Sequence, residues 1–515
     1  MAICYNESVK QTVLIGRFSD NHSQCRRFFM YLRSLMPPPL RFREDEERKF
    51  HFASAVTAQI SGIPIEICKQ MRFLWRRFCC DASEVTFVPV SDGCLFRIGE
   101  VDCELFDDDR YAIRVTETGI CMRATDAQSL MHGFTTLMQL ICPVELEWGK
   151  ESFYISAAEV HDKPALDFRG IHLCVFPETT LADLEKAIRL AGFYKMTHVV
   201  LEFWGTLRYD CLPSLAWRNH SYTKDEIRPL IELIRSFGME PIPMINHFGH
   251  ASQSRGAVGR HTVLNTNLRL SRLFEPDGWT WCLSNPDTYA LLAQMRAELC
   301  ELFGDGQYFH LGFDEAYSFA TCDCCRQRVP HELLAEYLNR LTSDLAKIGR
   351  HPIIWHDELI RGDAFPNPDF PVTANGQNHN TSDALELLDR RIVIADWQYE
   401  YRNNYNPTTG IFLSRGFDTL TCPWFDPENA RSLANNAKTM GAFGVLITTW
   451  NSLFRYLRRA GYFGAVAWCS EDPEKPSLTD GSYTEVAAIL RKVYNSDGDF
   501  NRSGWREYEL EYDLD

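Results

Sequence analysis

The chain has 515 residues, of which 45% are hydrophobic and 24% charged, and its formal net charge at pH 7 is −16. This is the composition of a globular protein, and the length suits two to four domains, one of which can be a large α/β barrel. The acidic balance, without a basic stripe, argues against nucleic acid as a partner. The sequence contains no run of about 18 uncharged apolar residues, so we expect no membrane span.

The 18 cysteines are scattered along the chain and do not have the spacing of a disulfide framework. The first ten residues lack the basic segment and apolar run of a secretory signal. Together these features predict reduced thiols in a cytoplasmic protein. Cys322, Cys324 and Cys325 form one tight cluster, but a closed zinc site needs a fourth ligand and no matching second cluster is evident. A plain loop is the favoured interpretation here, and a metal site is the alternative.

In the N-terminal third, residues 1–80 form a segment whose structure the sequence does not make clear. Residues 81–162 are predicted to form a small non-catalytic α+β domain. Two strand-like runs, 111–115 and 120–124, flank a turn that ends in Gly119, which is typical of a hairpin. Asp126 is placed to cap the amphipathic helix that follows.

Residues 163–472 alternate between apolar strand candidates and amphipathic segments, and residues 473–515 are expected to form a C-terminal tail. The strand candidates are 168–175, 197–203, 240–246, 308–313, 352–356, 392–397, 419–424 and 444–450. The clearest helix follows a Thr223/Glu226 capping box and stops at Gly238. Eight such strands within about 300 residues predict an α/β fold, a (β/α)8 TIM barrel. A doubly wound open sheet is the alternative, but no Gly-rich phosphate loop follows any strand.

In such a barrel the chemistry lies at the carboxyl ends of the strands. Two adjacent carboxylates, Asp314 and Glu315, follow the fourth strand candidate. Alone, such a pair is typical of a helix N-terminus. Four other strand candidates end in an indole or one residue after it: Trp355, Trp397, Trp424 and Trp450. Large rings at loop positions need a function, and a pocket of indoles and carboxylates suits a sugar ring.

Residues 310–315, His-Leu-Gly-Phe-Asp-Glu, resemble the His-x-Gly-x-Asp-Glu signature of glycoside hydrolase family 20, the β-N-acetylhexosaminidases. Phe313 stands where glycine is most common in that family. Residues 283–289 resemble the lead-in to the signature, and residues 109–140 resemble the small domain that precedes the family's barrel. The resemblance covers roughly residues 85–470, and two separate matches in the right order make it specific.

The resemblance implies an exo-acting, retaining glycoside hydrolase that removes terminal β-linked N-acetylhexosamine from an oligosaccharide or glycoconjugate without a cofactor or a catalytic metal. The implied chemistry is substrate-assisted: the 2-acetamido oxygen of the sugar closes on the anomeric carbon and gives an oxazolinium intermediate. Glu315 would act as general acid and then as base, and Asp314 would orient the acetamido group. We expect an ionised Asp314 to keep Glu315 protonated. A homodimer is left open.

The resemblance also implies residues that bind the substrate. Arg169 would bind sugar hydroxyls, and His250 would lie near the catalytic centre. The remaining members of the set are Trp355, Trp397, Tyr399, Trp424, Asp426 and Trp450.

Two positions depart from the family pattern. Trp424 stands where the family has a tyrosine that donates to the acetamido oxygen, so Tyr399 or Tyr401 is expected to supply that donor. The last strand ends in Trp450-Asn451-Ser452, whereas many members have Trp-Ser-Glu and use the glutamate to bind outer hydroxyls. These departures keep a catalytically silent or altered-specificity sugar-binding barrel as the main alternative.

A metal-dependent barrel hydrolase is the third hypothesis. It would use His247, His250 and Asp314 as ligands.

Overall fold

The computed structural model describes residues 35–144, 152–217, 220–252, 267–365, 372–403, 406–451, 453–470 and 482–494. They form a mixed β-sheet domain followed by a closed parallel barrel. The first ten residues, on which the secretory-signal prediction depends, lie outside these ranges. None of the described helices has the length and apolar character needed to cross a membrane.

The small domain is a sheet in the order β1-β8-β5-β6-β4-β2-β3, with β7 paired to β8. Its strands are β1 (Arg41–Phe52), β2 (Ala55–Ser61), β3 (Glu84–Pro89), β4 (Cys94–Gly99), β5 (Tyr111–Thr116), β6 (Gly119–Ala124), β7 (Cys142–Val144) and β8 (Ser152–Asp162). Helices α1 (Ile65–Phe78) and α2 (Ala127–Gln139) pack together and against this sheet. The sheet therefore begins at Arg41, and residues 41–61, which the sequence left without a clear structure, supply its strands β1 and β2.

The hairpin and the helix cap predicted for this domain are confirmed. β5 and β6 pair as the predicted antiparallel hairpin, from Tyr111 opposite Ala124 to Thr116 opposite Gly119. The Asp126 carboxylate accepts a hydrogen bond of 2.7 Å from the backbone N–H of Ser129 and caps α2.

Eight parallel strands close into the predicted TIM barrel. They are β9 (Phe168–Val175), β10 (His198–Phe203), β11 (Glu240–Met244), β12 (Tyr308–His310), β13 (His351–Trp355), β14 (Val393–Trp397), β15 (Thr419–Cys422) and β16 (Gly444–Thr448). The pairing of β16 with β9, in which Thr448 lies opposite His172, closes the barrel.

Helices surround the barrel. They are α3 (Leu181–Phe193), α4 (Lys224–Ser236), α5 (Pro286–Phe303), α6 (Pro330–Ala346), α7 (Ala384–Leu387), α8 (Pro407–Ser414), α9 (Pro427–Met440) and α10 (Leu453–Trp468). The capping box predicted for α4 is present, with Thr223 and Glu226 bonded to each other's backbone N–H groups. A further helix, α11 (Ser482–Val493), packs on α3, α10 and α1, so part of the predicted tail is folded against both domains.

Apolar side chains pack the lower part of the barrel. Alternate residues of each strand face inward, and those of the lower layers form one buried apolar cluster: Phe168, Val200, Ile242, Ile353, Val393, Leu420 and Leu446. At the amino end, the ring of His198 stacks on Phe168 with 3.9 Å between centroids. The interior is therefore closed at the bottom, and polar inward-facing groups are concentrated at the carboxyl end.

A buried polar junction joins the two domains. Lys195, after α3, donates hydrogen bonds to the phenol of Tyr111 (2.7 Å) and to the carboxylate of Asp162 (3.1 Å). Trp468, the last residue of α10, donates to the other oxygen of Asp162 at 3.1 Å. Because each partner is buried and bonded, this junction fixes the small domain against the amino end of the barrel.

Candidate active site

The chain turns sharply after β12, and this turn presents the two carboxylates. Gly312, Phe313 and Glu315 have φ of +75°, +81° and +49°. A side chain at Gly312 would place its Cβ 1.6 Å from Oδ1 of Asn246, so only glycine fits there. Phe313 adopts a φ that favours glycine, which accounts for the glycine commonly found at this position of the signature. The turn places Asp314 and Glu315 beside the same imidazole, as the sequence predicted for one shared pocket.

His250 lies between the two carboxylates. Its Nε2 is 3.2 Å from Oδ2 of Asp314 and 3.1 Å from Oε2 of Glu315. Gly249 permits this approach, because a Cβ there would lie 2.0 Å from the carbonyl oxygen of Asp314. His250 itself has a φ of +56°, so the backbone bends on both sides of the contact. The structure thus brings together His250, Asp314 and Glu315.

The charges of this group are strongly coupled. Burial acts to lower the pKa of His250, but the carboxylates of Asp314 and Glu315 raise it to about 10. Burial raises the pKa of Asp314 above its ordinary value, and His250 offsets this only in part. Burial also acts to raise the pKa of Glu315, but hydrogen bonds from His250 and Tyr317 lower it below its ordinary value. At neutral pH the imidazole is therefore a cation.

This corrects one expectation. An ionised Asp314 was expected to keep Glu315 protonated, but in the free protein it is the pKa of Glu315 that is lowered and the pKa of Asp314 that is raised. The reason is that the His250 cation contacts both groups, and Glu315 is the more exposed of the two, at 29% against 6% of the side chain.

Two further carboxylates hold the backbone of the catalytic turn. Asp357, after β13, accepts a hydrogen bond of 2.9 Å from the N–H of Glu315. Glu358 accepts one of 2.9 Å from the N–H of Ala316. Burial and the charge of Asp314 raise the pKa of Asp357 to about 6. Both residues directly follow β13, and through these hydrogen bonds they support the backbone of the turn that carries Glu315.

The outer side of the turn is held by the loop that precedes α5. Nε1 of Trp279 donates a hydrogen bond of 2.5 Å to the carbonyl oxygen of Glu315. The ring of Trp279 lies 4.6 Å from that of His250 and stacks on Tyr317 at 5.9 Å, centroid to centroid. Trp279 and Tyr317 therefore belong to the site. Sequence reasoning missed them because neither lies at the end of a strand.

The predicted aromatic wall is present. Tyr399 occupies its centre, with ring centroids 5.0 Å from Trp397 and 5.4 Å from Trp424. Nε1 of Trp450 donates to the Tyr399 hydroxyl at 2.6 Å, and the Trp450 ring lies 5.8 Å from Trp355. These residues come from four different strand ends, and the barrel brings them into one continuous surface.

The wall is connected to the catalytic turn. Nε1 of Trp397 donates a hydrogen bond of 3.2 Å to Asp357, the same carboxylate that holds Glu315. Trp355 is fully buried, and its ring lies 4.4 Å from that of His310. Trp355 therefore forms the floor beneath the wall, whereas Trp397, Tyr399, Trp424 and Trp450 are partly exposed.

A buried polar network lies beside that floor. Glu202 accepts hydrogen bonds from Nε2 of His172 (2.8 Å), from Nδ2 of Asn246 (3.1 Å) and from Nε1 of Trp204. The ring of Trp450 lies 4.7 Å from that of His172, centroid to centroid. This network fixes the floor on the side of β9, β10 and β11.

Arg169 does not belong to the site. It is the second residue of β9, at the amino end of the barrel, and its side chain faces outward. Its guanidinium donates to the backbone oxygens of Lys195 (2.9 Å) and Leu166 (2.6 Å) and lies 4.7 Å from the Trp468 ring centroid. The expectation that Arg169 binds sugar hydroxyls is wrong, because successive side chains of a strand point to opposite faces. Arg169 belongs to the domain junction.

Asp426 also has a structural role. One of its carboxylate oxygens accepts a hydrogen bond of 2.8 Å from the N–H of Glu428 and caps α9. The other pairs with the guanidinium of Arg402 at 2.5 Å. Both oxygens are thus engaged within the protein, which corrects its assignment to sugar binding.

His247 does not face the carboxylates, so the ligand set of the metal-dependent hydrolase hypothesis is not assembled. Its Nδ1 lies 2.8 Å from the carbonyl oxygen of Ile245, and its Nε2 lies 2.9 Å from Nη1 of Arg296. Burial lowers the pKa of His247 well below its ordinary value, so the ring is neutral and accepts from Arg296.

A barrel with this arrangement of carboxylates, imidazole and indoles at its carboxyl end defines a class of carbohydrate-active proteins. The sequence profile of glycosyl hydrolase family 20, catalytic domain, matches residues 201–455. The chain belongs to this family through its barrel.

Individual relatives agree with this assignment. A β-hexosaminidase of Porphyromonas gingivalis is 22% identical over 386 residues, which are 67% of this chain and 49% of that protein. A β-hexosaminidase of Akkermansia muciniphila is 24% identical over 337 residues, 59% of this chain and 66% of that protein. The chain therefore spans about half to two thirds of the length of these relatives.

Solved structures support the fold. The GH20 exo-β-N-acetylglucosaminidase of Vibrio harveyi, in complex with N-acetylglucosamine, superposes with a TM-score of 0.66 at 15% identity and covers 90% of this chain and 77% of its own. The β-N-acetylhexosaminidase of Bacteroides fragilis superposes with a TM-score of 0.64 at 18% identity, with coverage of 90% and 96%.

Proposed function

We propose that the protein is an exo-acting, retaining β-N-acetylhexosaminidase that releases terminal β-linked N-acetylhexosamine by substrate-assisted catalysis. One observation carries the proposal: Oδ1 of Asp314 is a buried carboxylate oxygen that has no hydrogen-bond partner among the described residues, and it lies on the residue adjacent to Glu315. A buried acceptor of this kind is costly unless a ligand satisfies it. The N–H of a 2-acetamido group is a donor of the right kind.

In this mechanism the acetamido oxygen forms a bond to the anomeric carbon while the bond to the leaving oxygen breaks. Glu315 donates the proton that the leaving oxygen takes. Water then attacks the anomeric carbon of the oxazolinium, Glu315 accepts a proton from that water, and the acetamido group is regenerated. Asp314 accepts from the acetamido N–H and stabilises the positive charge that develops on it. Two displacements at the same carbon give net retention.

The lowered pKa of Glu315 does not remove its acid role. His250 carries a proton 3.1 Å from Glu315 and stays charged up to a pKa of about 10, so the pair holds one transferable proton at neutral pH. Such a pair titrates as a unit, and that proton is available to the leaving oxygen through Glu315.

The acetamido donor is assigned to Tyr399 rather than Tyr401. The Tyr399 hydroxyl lies within the aromatic wall, 2.6 Å from Nε1 of Trp450, and its pKa is raised by burial, so the phenol keeps its proton. Tyr401 is buried in the segment between β14 and α8, and the side chain of Asn429 in α9 donates a hydrogen bond to its carbonyl oxygen.

Hydrolysis of chromogenic β-GlcNAc and β-GalNAc glycosides tests the proposal. Glu315→Gln is expected to lose roughly 10²–10⁴-fold in kcat/KM and to recover part of this with an activated leaving group, because kcat/KM reports the step in which Glu315 protonates the leaving oxygen. Glu336→Gln on the exposed face of α6 is the matched control and is expected to be fully active. Product configuration is read by NMR during turnover; net inversion would exclude the neighbouring-group mechanism.

An altered-specificity or silent sugar-binding barrel is the second candidate. It is favoured by the outward orientation of Arg169 and by Ser452, which stands where many family members have the glutamate that binds outer hydroxyls. Calorimetry with an oxazoline-mimicking inhibitor separates the two candidates: binding without turnover of any hexosaminide in a panel supports the silent barrel. A cytoplasmic location and a homodimer stay predictions.

A further inference from the structure

Three thiols and a carboxylate meet behind the catalytic turn. They belong to Glu275, Cys282, Cys322 and Cys325, and one ligand atom of each lies within 4.8 Å of all the others. Sγ of Cys282 is 3.5 Å from Sγ of Cys322 and 3.6 Å from Sγ of Cys325. Within the described parts of the chain, no other group of three or more Cys, His, Asp or Glu residues is this compact.

The sulfur separations indicate a shared ligand rather than a disulfide. A disulfide requires an S–S distance of about 2.05 Å, and three thiols cannot all be paired among themselves. Around a tetrahedral Zn²⁺ with Zn–S bonds of about 2.3 Å, neighbouring sulfurs lie about 3.8 Å apart. The observed separations are close to this value.

The spacing and the backbone of the cysteine loop suit a metal site. Cys322 and Cys325 have the Cys-x-x-Cys spacing of zinc-binding loops. The N–H of Cys325 donates to Sγ of Cys322 at 3.4 Å, a bond that stabilises negative charge on that sulfur. Cys324, between them, is exposed and is not part of the cluster.

Glu275 supplies the fourth ligand that the three cysteines alone lack. Its side chain is buried, and its Oε2 accepts hydrogen bonds from the N–H groups of Thr321 (3.0 Å) and Cys322 (2.6 Å). Its Oε1 has no hydrogen-bond partner among the described residues. A buried carboxylate oxygen left without a donor is costly, and a cation beside the three sulfurs would satisfy it.

We infer that Glu275, Cys282, Cys322 and Cys325 bind a structural Zn²⁺. Thiolate ligands select Zn²⁺ over Mg²⁺ and Ca²⁺, and four protein ligands close a tetrahedral site without a position for water or substrate. As the Zn–S bonds form, the thiols release their protons to solvent. This inference does not depend on the proposed hydrolase activity.

The site would position Glu315. Cys322 lies on the loop that follows Glu315, and Glu275 and Cys282 flank Trp279, whose indole donates to the Glu315 carbonyl. Ser318 also joins the two segments, through a hydrogen bond of 2.5 Å from its hydroxyl to Asp277. Zn²⁺ would hold the two segments that enclose the catalytic turn at a fixed separation. Its ligands are positioning residues, because none of them contacts the catalytic group itself.

Metal content tests the inference directly. The full chain, produced with added zinc and purified without chelator, is expected to contain about one zinc per molecule by elemental analysis. Cys282→Ser and Cys322→Ser are expected to lose it, and Cys324→Ser, the matched control, is expected to keep it. Glu275→Gln is expected to weaken Zn²⁺ affinity on the order of 10- to 100-fold or more. Co²⁺ in place of Zn²⁺ is expected to give the visible absorption of a tetrahedral thiolate site.

A second test uses only the wild-type protein and is therefore independent of whether the cysteine variants fold. Titration of its thiols with an organomercurial in the presence of a zinc indicator is expected to release zinc in step with thiol modification. Three results would overturn the inference: reduced wild-type protein that contains no zinc and binds neither Zn²⁺ nor Co²⁺, a disulfide between Cys282 and Cys322 or Cys325 in the purified protein, or equal zinc loss in Cys324→Ser and Cys322→Ser. Inactive protein with one bound zinc would leave the metal site intact and count against the proposed hydrolase.

Discussion

Nε2 of His250 lies 3.1 Å from Oε2 of Glu315, so the candidate acid is paired with a cation before any sugar arrives. The pairing lowers the pKa of Glu315 and raises that of His250 to about 10. Because the two groups share one proton at neutral pH, the pH dependence of catalysis should report the pair rather than either residue alone.

His250→Gln is expected to move the alkaline limb of the kcat/KM–pH profile to lower pH. In the wild-type protein the shared proton is lost only as pH rises through the His250 pKa of about 10. Without the imidazole, that proton is held by the carboxylates alone, and Glu315, whose ordinary pKa lies near 4.5, ionises at much lower pH. The measurement is the pH profile of kcat/KM with a chromogenic substrate from about pH 4 to about 11, a range that includes both limbs.

Thermal denaturation at each pH is the control, since the profile is informative only where both proteins are folded. An alkaline limb at the same pH in wild-type protein and His250→Gln would show that His250 does not carry the transferable proton.

The fold was predictable because its signals are local. Each barrel strand is a short apolar run, and the indoles that end four of the strand candidates meet in the structure as Trp355, Trp397, Trp424 and Trp450. The position of each indole at a strand end is enough to predict that the four lie close together, because all carboxyl ends of a parallel barrel face the same side.

The details that sequence missed depend on three-dimensional neighbours. Arg169 follows the first residue of its strand, and only the register of β9 reveals that it faces outward. Glu275 and Cys282 precede Cys322 by some forty residues or more, so no spacing rule joins them. The pKa order of Asp314 and Glu315 depends on His250, which reaches them from another strand end.

Tyr399→Phe is expected to lower kcat about 10- to 10³-fold, with a smaller effect on KM. The lost hydroxyl is the proposed donor to the acetamido oxygen, and it acts most strongly when that oxygen carries the charge of the reacting amide. The change also removes the acceptor of the Trp450 N–H, so the free energy of unfolding is measured beside the kinetics.

Tyr401→Phe is the matched variant, because it removes the same atom from the other candidate tyrosine. It is expected to keep near wild-type kcat. Equal losses of kcat in the two variants, or a loss confined to Tyr401→Phe, would refute the assignment of Tyr399.

Arg169→Met separates the structural role found here from the sugar-binding role expected from sequence. The substitution leaves the carbonyl oxygens of Leu166 and Lys195 without their buried donor, and it removes the cation stacked on Trp468. Unsatisfied buried groups of this kind cost about 2–5 kcal/mol in the free energy of unfolding. We expect a clear fall in the denaturation midpoint and an unchanged KM at a temperature where the variant is folded. Arg228→Met, on the exposed face of α4, should change neither quantity. A raised KM with an unchanged denaturation midpoint would contradict the structural role and support sugar binding by Arg169. The sugar would then have to contact the amino end of β9, although the barrel core lies between that end and the carboxyl-end site.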